Sequence, residues 1–382
     1  MHLEGNAPAP ARIALLPSVA GGIGHISRCA ALARALVRIA PGTRIDFVLD
    51  TERLRPFNVE ATRKMGFEPR LMPPRPRRER DAIVREYLGA ADVIVDDVAR
   101  YLLPLRRAVP QAAWVTIAMH PVGDELFLDW PLMAQMDAVI WPYAPLVGRP
   151  PELDAVSDKV VATGPFLEAD DVLDAAAARA RLGLPADGQA VLYAPRGYPF
   201  GREFGHRVLG AAYGAVEALR RGAHPTLELV LLAVSDPAEL AGVPGLPAVL
   251  PDWVRVRGVV TPQEALLHTQ AADVVIGEGT STMHEGAALR TPLVLVPGPI
   301  QEAWLLGTRL GEQRAAQVVW IERVDAAAFA EAFESAMSDA PEALARTERA
   351  HALVTGGGGV AAAARLVLEL AAGRREQTPQ AA

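Results

Sequence analysis

Residues 276–302 read IGEGTSTMHEGAALRTPLVLVPGPIQE, a pattern that divides into a strand end, a glycine turn, a short helix and a second strand. Just upstream, Ala272–Ile276 is a short apolar run ending in glycine, the signature of a buried strand. Gly277 and Gly279 bracket a tight turn, and Thr280, Ser281 and Thr282 place hydroxyls where a helix should start. The helix is expected from about Ser281 to Leu289, stopped by Arg290-Thr291-Pro292. All-apolar Leu293–Val296 follows at once and ends at Pro297-Gly298-Pro299. Strand, helix and strand make a βαβ unit, and such crossovers are nearly always right-handed. The free N–H groups and the dipole at the start of its helix suit a phosphate-like anion. A plainer reading stands beside this one. Thr282-x-x-Glu285 is also a capping-box pattern, and two glycines in a turn are common in α/β proteins.

Working outward, the same alternation recurs on both sides. Upstream, strands are expected at Ile13–Leu16, Ile45–Leu49, Asp92–Asp96, Ala113–Ala118, Ala138–Trp141 and Val160–Thr163, with a first helix running to about Ile39. Residues 1–10 read as a disordered lead-in, and Pro73-Pro-Arg-Pro-Arg-Arg as a basic, proline-rich loop. Beyond Gly164-Pro165-Phe166, strands are expected at Ala190–Ala194, Leu227–Val234, Val254–Arg257 and Val318–Ile321, with a helix from roughly Glu203 to Arg221. Strands and helices alternating at this spacing form parallel sheets covered on both faces. The expected division is therefore 1–165, 166–355 and 356–382. The last piece comprises a glycine joint, Thr355-Gly-Gly-Gly-Gly359, an apolar helix Val360–Leu370 and a polar, disordered tail from Gly373.

Composition narrows the function. A chain of 382 residues exceeds one ordinary core. A formal net charge of −7 argues against an extended nucleic-acid surface. The single cysteine, Cys29, excludes an intrachain disulfide and a multi-cysteine zinc site. No apolar run approaches a membrane span, and the start MHLEGNAPAPARIALL lacks a signal peptide's charged and apolar regions. The expectation is a cytoplasmic protein without a transmembrane segment, its oligomeric state open.

Gly21-Gly-Ile-Gly-His25-Ile-Ser-Arg28 lies between the first strand and first helix, where ligands bind in open α/β sheets. Gly22 and Gly24 let backbone approach a ligand, and the helix start attracts negative charge. The dinucleotide fingerprint GxGxxG is not matched, since Ser27 takes the third glycine's place, although Asp50 after the second strand keeps an NAD reading open. His25 at a helix start is either a structural residue or an acid/base. Asp96 ends a buried strand, where a carboxylate is costly unless it faces a cleft or a partner; either it or Asp97 could instead cap the next segment. Arg196-Gly197-Tyr-Pro-Phe-Gly201 suits a diphosphate across a cleft, or is a plain βα loop. The apolar Glu125–Met133 segment could line an acceptor pocket or be buried.

These motifs together resemble the GT-B glycosyltransferases. Residues 276–302 resemble their donor-binding domain, and most closely that of the lipid-intermediate N-acetylglucosaminyltransferase of peptidoglycan synthesis. Gly-x-Gly-His-x-x-Arg-Cys resembles uncharacterised GT-B transferases and the UDP-sugar hydrolase of pseudaminic-acid biosynthesis. The resemblance spans both halves of the chain on short motifs. It implies two Rossmann-like doubly wound domains facing across a cleft, with the C-terminal helix free to cross back to the first. It implies that Gly279, Thr280, Ser281 and Thr282 contact phosphate, that Glu285 holds the ribose, and that Gln301 and Glu302 hold the sugar. Gly258 and Val259 would hold the base by backbone groups, and His25 would act as acid/base supported by Asp96. Two departures stand out: Arg290 replaces the usual glycine before Pro292, and the linker from Pro297 to Gln301 is short.

The expected activity is inverting hexosyl transfer from a nucleotide sugar, UDP-linked by resemblance, to a small-molecule or lipid acceptor, with no metal and no cofactor. Hydrolysis of the nucleotide sugar by water, or binding without catalysis, are the alternatives.

Overall fold

The central βαβ unit forms as the strand Val274–Gly277, the helix Ser281–Ala288 and the parallel strand Leu293–Leu295 in a computed structural model of the chain. The structure describes residues 10–19, 24–76, 78–98, 105–119, 133–167, 173–194, 202–232, 234, 240–258, 260–279 and 281–377.

Around this unit the strands assemble into two all-parallel sheets. In the first, β1 (Arg12–Pro17), β2 (Arg44–Asp50), β3 (Arg70–Met72), β4 (Val93–Asp97), β5 (Ala113–Ile117), β6 (Ala138–Trp141) and β7 (Val160–Ala162) lie in the order β3-β2-β1-β4-β5-β6-β7. In the second, β8 (Gln189–Tyr193), β9 (Leu227–Leu231), β10 (Val254–Val256), β11 (Val274–Gly277), β12 (Leu293–Leu295) and β13 (Gln317–Val318) follow the order β10-β9-β8-β11-β12-β13. Both are doubly wound. Each builds outward in one direction and then crosses back over its first strand, so the strand order reverses between β1 and β4 and again between β8 and β11.

Both faces of each sheet are covered, which explains why the central strands are apolar without alternation. Ile13 and Leu15 of β1 pack with the helix Gly24–Ile39 through Ile26, Ala30 and Ala33. Ala14 and Leu16, pointing the other way, join a cluster that continues from Trp114 and Trp141 to Leu293 and Leu295 of the second sheet. Apolar packing therefore links the two domains.

Several expectations need correction. β3 was not foreseen: Arg-Leu-Met is three residues at a sheet edge, too short for a periodicity signal. The strand expected at Val318–Ile321 is only Gln317–Val318, and Ile321 begins a short 3₁₀ turn. In the loop after β3, Arg75 is not solvated but 8% exposed. Its Nη1 and Nη2 donate to the two carboxylate oxygens of Asp50 at 2.8 and 2.9 Å. Asp50 is thus committed to an internal ion pair rather than to the ribose of a dinucleotide. The glycine joint is a packed 3₁₀ turn, Gly356–Gly358, and the last helix runs Gly359–Gln377, well past Gly373. The helical run Pro341–Arg375 contains an 18-residue stretch with a mean hydropathy of 1.4, apolar enough by length and composition to cross a membrane, where none was expected. The glycine turn splits it into the helices Pro341–Thr355 and Gly359–Gln377, and Ala350, Val354, Ala363 and Val367 are buried in the protein.

Candidate active site

Each sheet brings one residue pair together where its strand order reverses. In the first domain, the segment after β1 leads into the helix Gly24–Ile39, whose second residue is His25; the adjacent β4 ends at Asp97. His25 Nδ1 lies 3.2 Å from Asp97 Oδ1. Arg28, one turn along the same helix, grips Asp97 with two donors, Nε to Oδ2 at 2.8 Å and Nη2 to Oδ1 at 2.5 Å. The Asp97 side chain is fully buried and His25 is 17% exposed. Burial pushes the Asp97 carboxyl up, but Arg28 and then His25 outweigh it and hold its pKa at about 2. Burial likewise opposes the Arg28 charge, and Asp97 again outweighs it, so the guanidinium sits above its ordinary value.

Asp97 therefore takes the place expected of Asp96. Successive strand residues face opposite sides of a sheet. Asp97 shares the face of Val93 and Val95, under the helix Gly24–Ile39, whereas Asp96 shares the face of Ile94. There Asp96 Oδ2 accepts from Thr116 Oγ1 at 3.1 Å. In the second domain Tyr193 ends β8 and Glu278 follows β11, and the Tyr193 hydroxyl donates to Glu278 Oε1 at 2.6 Å, both side chains buried. Neither Asp97 nor this second pair was foreseen.

The glycine turn after β11 is held against the first turn of the helix Gln301–Glu312. Gly279 has φ +87°, and a Cβ there would stand 2.1 Å from the Ala303 carbonyl oxygen, so only glycine fits. Ser281 is the first helical residue and exposed; Thr282 is the second, half-buried. Thr282 thus lies inside the helix, and the Thr282-x-x-Glu285 pattern is not a helix cap. Glu285 is half-buried on the same helix, and burial raises its pKa to about 7.

Across the cleft, the Tyr143 hydroxyl, just after β6, donates to Glu302 Oε1 at 2.6 Å. Glu302 and Tyr143 both act electrostatically on Arg28. So does Arg28 on His284, whose pKa is lowered to about 4, by burial first and then by that cation. His25, Arg28, Asp97 and Tyr143 of the first domain thus face His284 and Glu302 of the second. Gln301 is exposed beside this group, and Gly258 is exposed after β10. Gly24 opens its helix with nothing within 4 Å of where a Cβ would be. The expected contacts Gly22, Arg196, Gly197, Val259 and Thr280 lie outside the described residues, as does most of the Glu125–Met133 segment. Among the described residues no three His, Cys, Asp or Glu side chains are grouped as a metal ion needs.

Solved structures share this fold over 95% or more of their own length. The spinosyn forosaminyltransferase SpnP matches with a TM-score of 0.65 at 16% identity, over 95% of this chain and 99% of its own. MurG of Acinetobacter baumannii matches at 0.59 and 13% identity, over 94% and 100%. The fold is GT-B. The UDP-bound MnaA of S. aureus, at TM-score 0.61 and 10% identity over 94% and 95%, shares it too. The sequence matches no protein-family model and no curated protein. The His25–Asp97 pair and the Ser281 helix start therefore occupy the two walls of a GT-B cleft, each at the carboxyl end of its sheet.

Proposed function

We propose that the chain transfers a sugar, with inversion, from a nucleotide donor to a hydroxyl or amine acceptor. The observation that carries this reading is the buried Asp97 carboxylate beside His25 Nδ1, opposite the glycine turn and helix start of the second domain. An Nδ1–H directed at Asp97 leaves Nε2 to take the acceptor's proton, and the carboxylate stabilises the imidazolium that results. Free N–H groups at the start of the Ser281 helix suit the departing diphosphate, with Arg28 a nearby cation, and no metal enters the reading. Glu285 would hold the ribose and Gln301 and Glu302 the sugar, with Glu302 first leaving Tyr143. The solved UDP complex of the same fold makes UDP the first nucleotide to test.

The deciding experiment follows release of nucleoside diphosphate from a panel of nucleotide sugars, with and without candidate acceptors. Transfer requires slow release in water and much faster release with the right acceptor, giving a product of inverted anomeric configuration. His25→Ala should lose about a hundred- to ten-thousand-fold in turnover while keeping nucleotide binding. Full-rate release in water alone would instead mean hydrolysis, and undiminished turnover in His25→Ala would remove the base assignment altogether.

A further inference from the structure

Arg28 is more than a counter-ion for Asp97. Its Nη2 lies 3.0 Å from His25 Nδ1, closer than Asp97 Oδ1 at 3.2 Å, and the same Nη2 donates to that oxygen at 2.5 Å. A guanidinium has only donors and a carboxylate only acceptors. One ring nitrogen cannot satisfy both. If Nδ1 carries a proton it answers Asp97 and confronts the N–H of Arg28; if it carries a lone pair it accepts from Arg28. Each carboxylate oxygen already accepts one short bond from the guanidinium, and a bare Nδ1 gives the second Nη2 hydrogen an acceptor of its own.

We propose that Arg28 is a positioning residue that keeps the His25 proton on Nε2 in the nucleotide-free protein, and that a bound nucleoside diphosphate releases it. With the proton on Nε2 that nitrogen cannot accept another, so the empty site holds no base. The charges around Arg28 show how release works. Asp97 holds it from below, Glu302, hydrogen-bonded to Tyr143, acts on it from across the cleft, and half-buried His284 adds no charge at neutral pH. A diphosphate at the Ser281 helix start brings stronger negative charge to the side on which Glu302 already attracts the guanidinium. Once Nη2 turns toward it, Asp97 Oδ1 is left with Nδ1 as its nearest donor, and the proton moves to that nitrogen by exchange with water. The base is then armed only when donor is present, which limits proton chemistry in the empty cleft. This rests on the reading of His25 as the general base.

The test is long-range proton–nitrogen correlation NMR on the full chain with labelled histidine, recorded near pH 8, with the His25 signals assigned by His25→Gln. Free protein should show Nε2 protonated and Nδ1 bare, and saturating UDP should reverse that. Arg28→Met should show Nδ1 protonated without UDP. A free wild-type protein with its proton on Nδ1 overturns the proposal without recourse to any variant, as does a UDP-saturated protein with it still on Nε2. A chain whose melting temperature does not respond to UDP or other nucleoside diphosphates refutes the nucleotide reading, while the free-protein spectrum still decides the role of Arg28.

Discussion

Arg290 has φ +57°, in the left-handed region, at the end of the helix Ser281–Ala288. Thr291 N–H donates to the Gly286 carbonyl at 2.9 Å and Arg290 N–H to the Ala287 carbonyl at 3.3 Å, the bond pair of a Schellman cap. A non-glycine residue costs roughly 1–2 kcal/mol in this conformation. Arg290 recovers a few tenths through an exposed pair with Glu348, Nε to Oε1 at 2.8 Å. Arg290→Gly should therefore stabilise the chain by about 0.5–1 kcal/mol once the looser unfolded state is allowed for, read as a higher denaturant midpoint at unchanged slope. The arginine in place of the glycine usual in the transferases it resembles was visible in the sequence; its strain needed the backbone angle. Asp96 and Asp97 show a different limit. Alternation says that neighbouring aspartates face opposite ways, but only the packed helix says which of them lies under His25. Asp97→Asn should lower turnover about a hundredfold and Asp96→Asn far less, both measured as diphosphate release under saturating donor. Equal losses would mean that neither carboxylate acts through His25.

At the scale of elements, the long apolar runs were legible almost to the residue, because strands buried on both faces cannot be polar. Ala138–Trp141 formed as expected, and β1, β2, β4, β5 and β8 within one residue at either end. Short edge strands such as β3 carry no such constraint. The central helix begins at Ser281 as expected, which leaves Thr282 inside it and removes the capping-box alternative. Glu285 then has another role, with a measurable consequence. Burial raises its pKa from 4.5 to about 7. Between those values the folded protein holds a proton that the unfolded chain has lost, so stability falls as pH rises through this window and the contribution is complete above it. Unfolding at a series of pH values from 4.5 to 8 should show that decline, and Glu285→Gln should flatten it. If the ionised carboxylate receives the ribose hydroxyls, UDP should also bind more tightly at pH 8 than at pH 6. Affinity that is flat with pH would separate Glu285 from the ribose.

For the molecule as a whole, the two chain crossings between domains meet at one place. Gly164 has φ +73°, and a Cβ there would lie 2.5 Å from the Gly356 carbonyl oxygen and 2.7 Å from that of Ala144. Gly359 N–H donates to the Thr163 carbonyl beside it. After this junction the chain returns to the first domain, where Val360, Ala363, Ala364, Val367 and Ala371 pack with Ala30, Leu32 and Ala33 of the first helix. Arg374 Nη2 adds a 2.6 Å bond to Asp137 Oδ1. An apolar helix was legible in this last segment, and its return to the first domain was expected from the resemblance alone, since nothing in a helix's own pattern says which sheet it will cover. The arrangement makes the first domain dependent on residues that follow the second. Ending the chain at Gly358 would expose two valines and three alanines together with the surface they cover, which at ordinary transfer values costs up to about 6 kcal/mol. That loss should fall on the first domain alone. Fluorescence of Trp114 and Trp141, both buried there, should report unfolding at a much lower denaturant concentration. The second domain keeps its own core around Phe329 and Phe333 and should unfold where it did before, as followed by Trp253 beside Tyr213. Two separated transitions in the shortened chain, against closer ones in the full chain, are the expected outcome. A shortened chain whose Trp114 and Trp141 signals hold to the original midpoint would mean that the last helix lies on the first domain without supporting it.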